Sequence, residues 1–382
     1  MKHPLLNEQH DLIRQSVRDF AEREIKPVAK ELDEKQQFSV DITQKMGEIG
    51  LFGMIVSEEY GGQGLDYLSY IIAVEELARV DGSQAATIAA GNSLGLNPIF
   101  YYGTEEQKKK YLPRLCSGKN IWGFGLTEPE AGSDSRNSKT TAKLVNGSWI
   151  INGSKIFITN ASSEITLGST VQAVSNDSNG KKEFSAIIVA NGTPGFTQKT
   201  MHNKMMWRAS NTAELYFDDC KVPESNILGK RGDGSKIMLS TLDCGRLSIG
   251  AMGLGLAQGA FEAALKYSQE RVQFGKPICK QQAISFKLAD MALKIELARN
   301  LLYKTCWLKE NHLPFEKEAA MSKLYCSEVA KFVADEAVQI HGGYGLMKDY
   351  DVERFYRDQR LLQIGEGTSE IQRIVISRYI GC

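Results

Sequence analysis

Thr140-Thr141-Ala142-Lys143-Leu144-Val145-Asn146-Gly147-Ser148-Trp149-Ile150-Ile151 sets two β-prone runs on either side of an Asn-Gly pair. Such a pair suits a type I′ turn, whose two central residues both need positive φ, so the stretch predicts a β-hairpin. Residues 184–189 and 213–217 continue the strand texture, and Pro223 marks its end. Upstream the texture is helical. Leu12, Ile13, Val17, Phe20, Ala21 and Ile25 form one stripe of a helix over residues 7–32. A second short helix ends at Gly50 to Gly53, a glycine loop covers 58–64, and residues 69–80 and 85–102 read as two more helices. Downstream of Gly234 helical periodicity returns over 237–270, 282–311, 315–340 and 353–362. The order helices, strands, helices predicts an α+β multidomain chain. Its parts are an N-terminal all-α domain (1–119), a middle β-barrel or sandwich domain (120–230) and a C-terminal helical bundle (231–382).

Forty-six basic against forty-six acidic residues in 382 give zero formal charge, which argues against a general nucleic-acid binder, since phosphates call for a basic excess. With 42% hydrophobic and 24% charged residues the chain reads as globular rather than disordered. The seven scattered cysteines contain no C-x-x-C pair and read as reduced thiols, and the five histidines form no zinc cluster. No run approaches the ~18 apolar residues of a membrane span, and the start lacks the apolar core of a signal peptide. A soluble, cytoplasmic protein is expected.

Five stretches have the residue types for chemistry. In Gly365-Glu366-Gly367-Thr368-Ser369-Glu370-Ile371-Gln372, Ser369 and Gln372 have capping-box spacing, which puts Glu366 in a turn just before a helix. A general base and a solvated turn glutamate both fit, and the helix N-terminus offers N–H groups to a phosphate. The run from Phe124 through Leu126, Thr127, Glu128, Gly132 and Ser133 to Asp134 leaves a strand for a glycine turn that suits a polar ring edge, or an ordinary loop. Phe157-Ile158-Thr159 ends a later strand with an aromatic that fits a planar cofactor or the core. Arg271, Phe274 and Gly275 close one long helix ahead of Gln282, and Arg271 suits either a pyrophosphate or the helix dipole. Gln339-Ile340-His341-Gly342-Gly343 stops another helix at glycine, and Asp243 and Arg246 have ion-pair spacing on one helix face.

Taken together and in this order, these stretches resemble the acyl-CoA dehydrogenase family over nearly the whole chain, along with Tyr60-Gly61-Gly62. The resemblance implies a C-terminal four-helix bundle, FAD as cofactor, a homotetramer and an electron-transferring flavoprotein as partner. It places Phe124, Leu126, Thr127, Gly132, Ser133, Phe157, Ile158 and Thr159 around the flavin. Arg271, Phe274, Gln282, Gln339, Ile340, Gly342 and Gly343 would reach the FAD of a neighbouring subunit, and Thr368, Ser369 and Glu370 would hold FAD phosphate. Ser133, Asp243, Arg246 and Gly367 would contact the acyl-CoA. Glu366 would be the catalytic base for the α-proton while the β-hydrogen leaves as hydride to the flavin, with its own N–H and a ribityl hydroxyl polarising the thioester carbonyl. Some relatives carry the base on the helix of Asp243 and Arg246; the matching position here is Gly245.

Departures from the family pattern bear on the substrate. Gly365 replaces a frequent tyrosine, which frees space or passes it to other side chains. Ala85 stands where glutaryl-CoA members have arginine, and no charge occurs between Gly82 and Phe100. The expectation is an uncharged short, branched or cyclic acyl-CoA. The rival readings are an enoyl-CoA reductase running in reverse, a nucleic-acid-binding flavoprotein of the same fold, and a helical scaffold without cofactor.

Overall fold

The computed structural model describes residues 3–178 and 181–382. Seven helices come first: α1 (Glu8–Phe20), α2 (Lys26–Lys35), α3 (Val40–Glu48), α4 (Tyr67–Ala78), α5 (Gly82–Ala90), α6 (Asn97–Tyr102) and α7 (Glu105–Cys116). Eight strands follow: β1 (Ile121–Gly125), β2 (Thr141–Val145), β3 (Ser148–Thr159), β4 (Thr166–Ser178), β5 (Lys181–Ala190), β6 (Phe196–Thr200), β7 (Thr212–Pro223) and β8 (Ile227–Leu228). The last part holds α8 (Gly234–Glu270), the small hairpin β9 (Val272–Gln273) and β10 (Lys276–Pro277), then α9 (Gln282–Glu310), α10 (Glu316–His341), α11 (Val352–Asp358) and α12 (Ser369–Tyr379). The predicted order of helices, strands and helices is the one observed.

The hairpin forms as its turn chemistry requires. β2 and β3 pair antiparallel with Val145 opposite Ser148, and Asn146 and Gly147 have φ of +49° and +72°. The sheet order is β6-β7-β3-β2-β4-β5-β8, with β1 running parallel beside β4. Trp149, Val171, Ile187, Phe196, Leu215, Phe217 and Val222 share one core, so the sheet curls until its two halves bury the same interior. Alternate residues of β3, β4, β5 and β7 supply most of that inner face. In the C-terminal part α8, α9 and α10 pack on one another and α12 lies on α10.

Two predicted helices are interrupted, for one shared reason. Residues 7–32 contain a π-helical turn at Ala21–Ile25, and residues 85–102 contain another at Gly91–Leu96. Each is followed by a short helix with proline in its first turn, Pro27 in α2 and Pro98 in α6. Proline cannot donate to the ladder and its ring clashes with the carbonyl four residues back, so the chain widens before it. Residues 353–362 likewise change from α11 to a 3₁₀ turn, Gln359–Gln363. No helix among the described residues is long and apolar enough to cross a membrane.

α8 is the spine of the molecule, and it also packs on α4, α5 and β5. Its approach to α4 is backbone to backbone: a Cβ on Gly255 would overlap the Glu75 carbonyl, and one on Gly259 the Arg79 carbonyl. Gly255→Val is therefore expected to destabilise the fold by at least about 1–3 kcal/mol through overpacking, read as a lowered urea midpoint at unchanged slope. An unchanged midpoint would mean the helices separate freely.

Candidate active site

The turn between the 3₁₀ segment Gln359–Gln363 and α12 puts two residues in succession in left-handed conformation, Glu366 at φ +51° and Gly367 at φ +88°. A glycine adopts this freely, but a glutamate has to be held there. The holding groups come from two helices. Gln372 Nε2 of α12 donates to the carbonyls of Gly367 at 2.9 Å and Glu366 at 3.3 Å, and Lys323 Nζ of α10 donates to the Gly367 carbonyl at 2.6 Å. The predicted capping box is corrected by one residue. Thr368 caps α12, its Oγ1 accepting from the Ile371 N–H at 3.2 Å. Ser369 is already helical, with its hydroxyl buried and without a partner among the described residues, and Gln372 turns back to the carbonyls instead of the cap.

The Glu366 carboxyl points inward against α8. A Cβ on Gly245 would overlap Glu366 Oε2, so the absent side chain is what makes room for the carboxyl. Oε2 is buried and has no hydrogen-bond partner among the described residues. Burial pushes the carboxyl up to about 7, although the nearby Lys323 and Arg246 cations pull the other way. Asp243 and Arg246 form the expected ion pair on α8, and Arg246, itself buried, keeps Nε unpartnered among the described residues. A Cβ on Gly245 would also lie 3.3 Å from Leu94 Cδ2, while one on the next residue, Gly95, would lie 3.2 Å from Trp122 of β1. The π turn Gly91–Leu96 thus lies between Gly245 of α8 and the first strand of the sheet.

At that strand two of the sequence-predicted stretches come together. The loop after β1 is bonded to the end of β3: the Ile156 N–H donates to the Thr127 carbonyl at 3.0 Å and Lys155 Nζ to the Leu126 carbonyl at 3.1 Å. Lys155 is buried and also donates to Glu128 at 2.7 Å, and Glu128 accepts from the N–H groups of Lys139 and Thr140. Desolvation opposes ionisation of Glu128, yet the Lys155 ammonium and those N–H groups hold it below the usual carboxylate range. Burial lowers Lys155 to about 8. Phe157, at φ +62°, is 63% exposed, so it is not a core aromatic. Phe124, Leu126 and Ile158 are buried in the cores, which leaves chiefly their backbone for a ligand. Thr159 ends β3, and Gly132 and Ser133 lie on the exposed part of the loop.

A further group forms around the hairpin β9–β10. Arg271 stacks over Tyr344 at 5.7 Å, which brings the end of α8 to Gly342 and Gly343 at the end of α10. Phe274 at the hairpin tip is 94% exposed, Gln282 and Gln339 are exposed, and Ile340 is core. His341 Nδ1 bonds the Ala337 carbonyl at 2.8 Å, and its ring stacks on Tyr267, so it serves the helix end. None of these contacts reaches the other two groups. Lys323, Lys155 and the partners of Glu128 escape a sequence reading that treats lysines as surface. A signal existed: Lys323 lies on the buried stripe of Ala319, Ala320, Cys326 and Ala330.

The displaced pKa has a consequence for stability. The Glu366 carboxyl titrates near 7 in the fold against 4.5 ordinarily, so its contribution is fully present below about pH 4.5 and is lost as pH rises through 7. Glu366→Gln cannot ionise. Its melting temperature should gain on the parent between pH 5 and 8, by on the order of 1–3 kcal/mol of stability at the upper end. A gap that does not vary with pH would contradict the buried carboxyl.

The molecule also matches known proteins. Residues 7–119, 123–220 and 232–381 match the acyl-CoA dehydrogenase N-terminal, middle and C-terminal domains. The chain is 47% identical to the short-chain specific acyl-CoA dehydrogenase of Clostridium acetobutylicum over 97% of its length and 98% of that protein. It superposes on butyryl-CoA dehydrogenase from Megasphaera elsdenii with TM-score 0.95 and 43% identity, covering all of both chains. It superposes with TM-score 0.96 and 46% identity, again over all of both chains, on a chain in the structure of the electron transferring flavoprotein of Acidaminococcus fermentans. On these matches the chain belongs to the acyl-CoA dehydrogenase family of FAD-dependent oxidoreductases.

Proposed function

We propose that this protein desaturates a short, uncharged acyl-CoA at its α and β carbons, with Glu366 as the base. The observation that carries this reading is the Glu366 carboxyl itself: seated against Gly245, Oε2 buried without a partner, and held near a neutral pKa. A base tuned close to the working pH balances its ionised fraction against its proton affinity. The α C–H bond breaks to give its proton to a Glu366 oxygen, the β-hydrogen departs with its electron pair, and the C=C bond forms. FAD, when bound, supplies the acceptor for that hydride. Among the described residues no backbone carbonyl accepts the Glu366 N–H, which leaves it free to donate to the thioester oxygen. That donor stabilises the enolate as it develops, which a carboxylate in water could not achieve.

The residues fit FAD. Phe157 is an exposed aromatic at a strand end, beside the Leu126–Thr127 loop that Lys155 and Ile156 hold in place. Arg271 and the exposed Phe274 offer a cation and a ring, and Thr368 opens the N-terminus of α12 for a phosphate. Asp243, Arg246, Ser133 and Gly367 are the residues read as holding the CoA thioester; Arg246 supports this with its unpartnered Nε.

A short straight chain is favoured over a branched or cyclic one. A Cβ on Gly365 would meet Leu361 at 3.5 Å, so Leu361 borders the room that a missing ring would free. The α5 helix is buried throughout and contributes no charge. The names of the Clostridium and Megasphaera proteins point the same way, and that of the Acidaminococcus structure supports an electron transferring flavoprotein as redox partner. A homotetramer is part of the reading. Phe286, Leu293 and Leu297 leave more than half their surface exposed along α9, as an oligomer face does.

Anaerobic bleaching of the flavin by butyryl-, isovaleryl-, octanoyl-, glutaryl- and palmitoyl-CoA tests the substrate, with butyryl-CoA expected fastest; preference for the glutaryl or palmitoyl thioester would overturn it. Glu366→Gln should retain FAD and slow bleaching by about 10²–10⁴-fold. Leu293→Glu should shift the assembly to smaller species by light scattering, and an unmoved mass would place the interface elsewhere.

A further inference from the structure

Resting on Glu366 as base and its N–H as donor to the thioester, we propose that Lys323, with Gln372, is a positioning residue. Its ammonium clamps the turn that presents both groups of Glu366 to the substrate. Lys323 has none of its surface exposed, and it sits in α10 on a stripe of small buried side chains. An apolar residue would fill such a place at lower cost than a desolvated ammonium. Among the described residues no carboxylate pairs with it within 4.0 Å; its hydrogen bond goes to the Gly367 carbonyl, at 2.6 Å. Gln372 donates to the same oxygen, so both lone pairs of that carbonyl are engaged, and Gln372 also reaches the Glu366 carbonyl.

On the other side of Glu366, the N–H groups of Ile364 and Gly365 both donate to the Leu361 carbonyl at 2.8 Å. Glu366 is therefore pinned between two anchored segments, in a left-handed conformation that a glutamate would otherwise leave. Release of the clamp lets the turn relax to a commoner conformation. The relation between the Glu366 N–H and its carboxyl then changes, although neither group has been altered. The clamp also has an electrostatic side. The charged or titratable groups facing Glu366 are Lys323 of α10, Arg246 of α8 and Tyr70 of α4, with Glu370 of α12 acting on Lys323.

Lys323→Met, which keeps the stem and removes the ammonium, tests the proposal in the FAD-loaded enzyme. Flavin bleaching by butyryl-CoA should fall about 10- to 100-fold with FAD content and butyryl-CoA binding unchanged, because orientation is lost rather than affinity. The acid limb of the rate should move to higher pH, since a cation that favours the ionised carboxyl is gone. The carbonyl stretch of bound carbonyl-labelled crotonyl-CoA should rise towards its value in water. Gln372→Met, which removes the other donor, should show the same signature and decides the matter if Lys323→Met fails to hold FAD. A lysine that only fills space would leave rate, pH limb and carbonyl stretch at parent values in both variants, and that result overturns the clamp. Glu366→Gln separates the two readings. It should slow bleaching by about 10²–10⁴-fold while leaving the carbonyl polarised; bleaching at the parent rate would instead remove Glu366 as base, whatever Lys323→Met does.

Discussion

Everything in this molecule is arranged around how closely other backbones can approach α8. A helix with ordinary side chains keeps its neighbours 8–10 Å away, axis to axis. The glycines of α8 remove that spacing at chosen points on different sides. Gly234 sits against the Phe184 and Ser185 backbone of β5, Gly253 against Cys326 of α10, and Gly255 and Gly259 against α4. Gly245 admits a carboxyl instead of a backbone. One helix thus brings the sheet, the N-terminal helices and the bundle into register, and the same device makes room for the Glu366 carboxyl.

The second dependence is electrostatic. Two fully buried lysines, Lys155 and Lys323, each take hold of a carbonyl in a segment that has no regular secondary structure. Burial lowers both to about 8, so each remains largely protonated at neutral pH. A loop bonded to a buried cation from a rigid strand or helix acquires the order of that element. This is how two irregular stretches, Leu126 to Gly132 and Glu366 to Gly367, come to have defined shapes without regular secondary structure.

Much of this could be read in the chain, and what could not has physical causes. Asn146-Gly147 declared its hairpin because the preference for positive φ is local. The Asp243–Arg246 pair and the turn position of Glu366 were equally local. The π turns before Pro27 and Pro98 were hidden, because a widened helix keeps nearly the same apolar rhythm as an α-helix. The cap at Thr368 was missed by one residue because the left-handed pair before it sets where the helix begins, and Ser369 satisfies the spacing rule equally well. Lys323, Lys155 and the space at Gly245 depend on partners 27 or more positions away, and only the folded chain supplies those.

The π turn at Gly91–Leu96 makes a gear between two parts of the molecule. Neighbouring residues there serve different components: Leu94 borders Gly245 of α8 and Gly95 admits Trp122. In an α-helix each residue advances by about 100°, so loss of the one extra residue of a π turn rotates all that follows by that angle. The packing beside Gly245 and the seat of the first strand would then be displaced together. Insertions and deletions in this turn are thus a coordinated variable: they shift the surroundings of Gly245 and the sheet in a single step, whereas substitutions adjust one at a time.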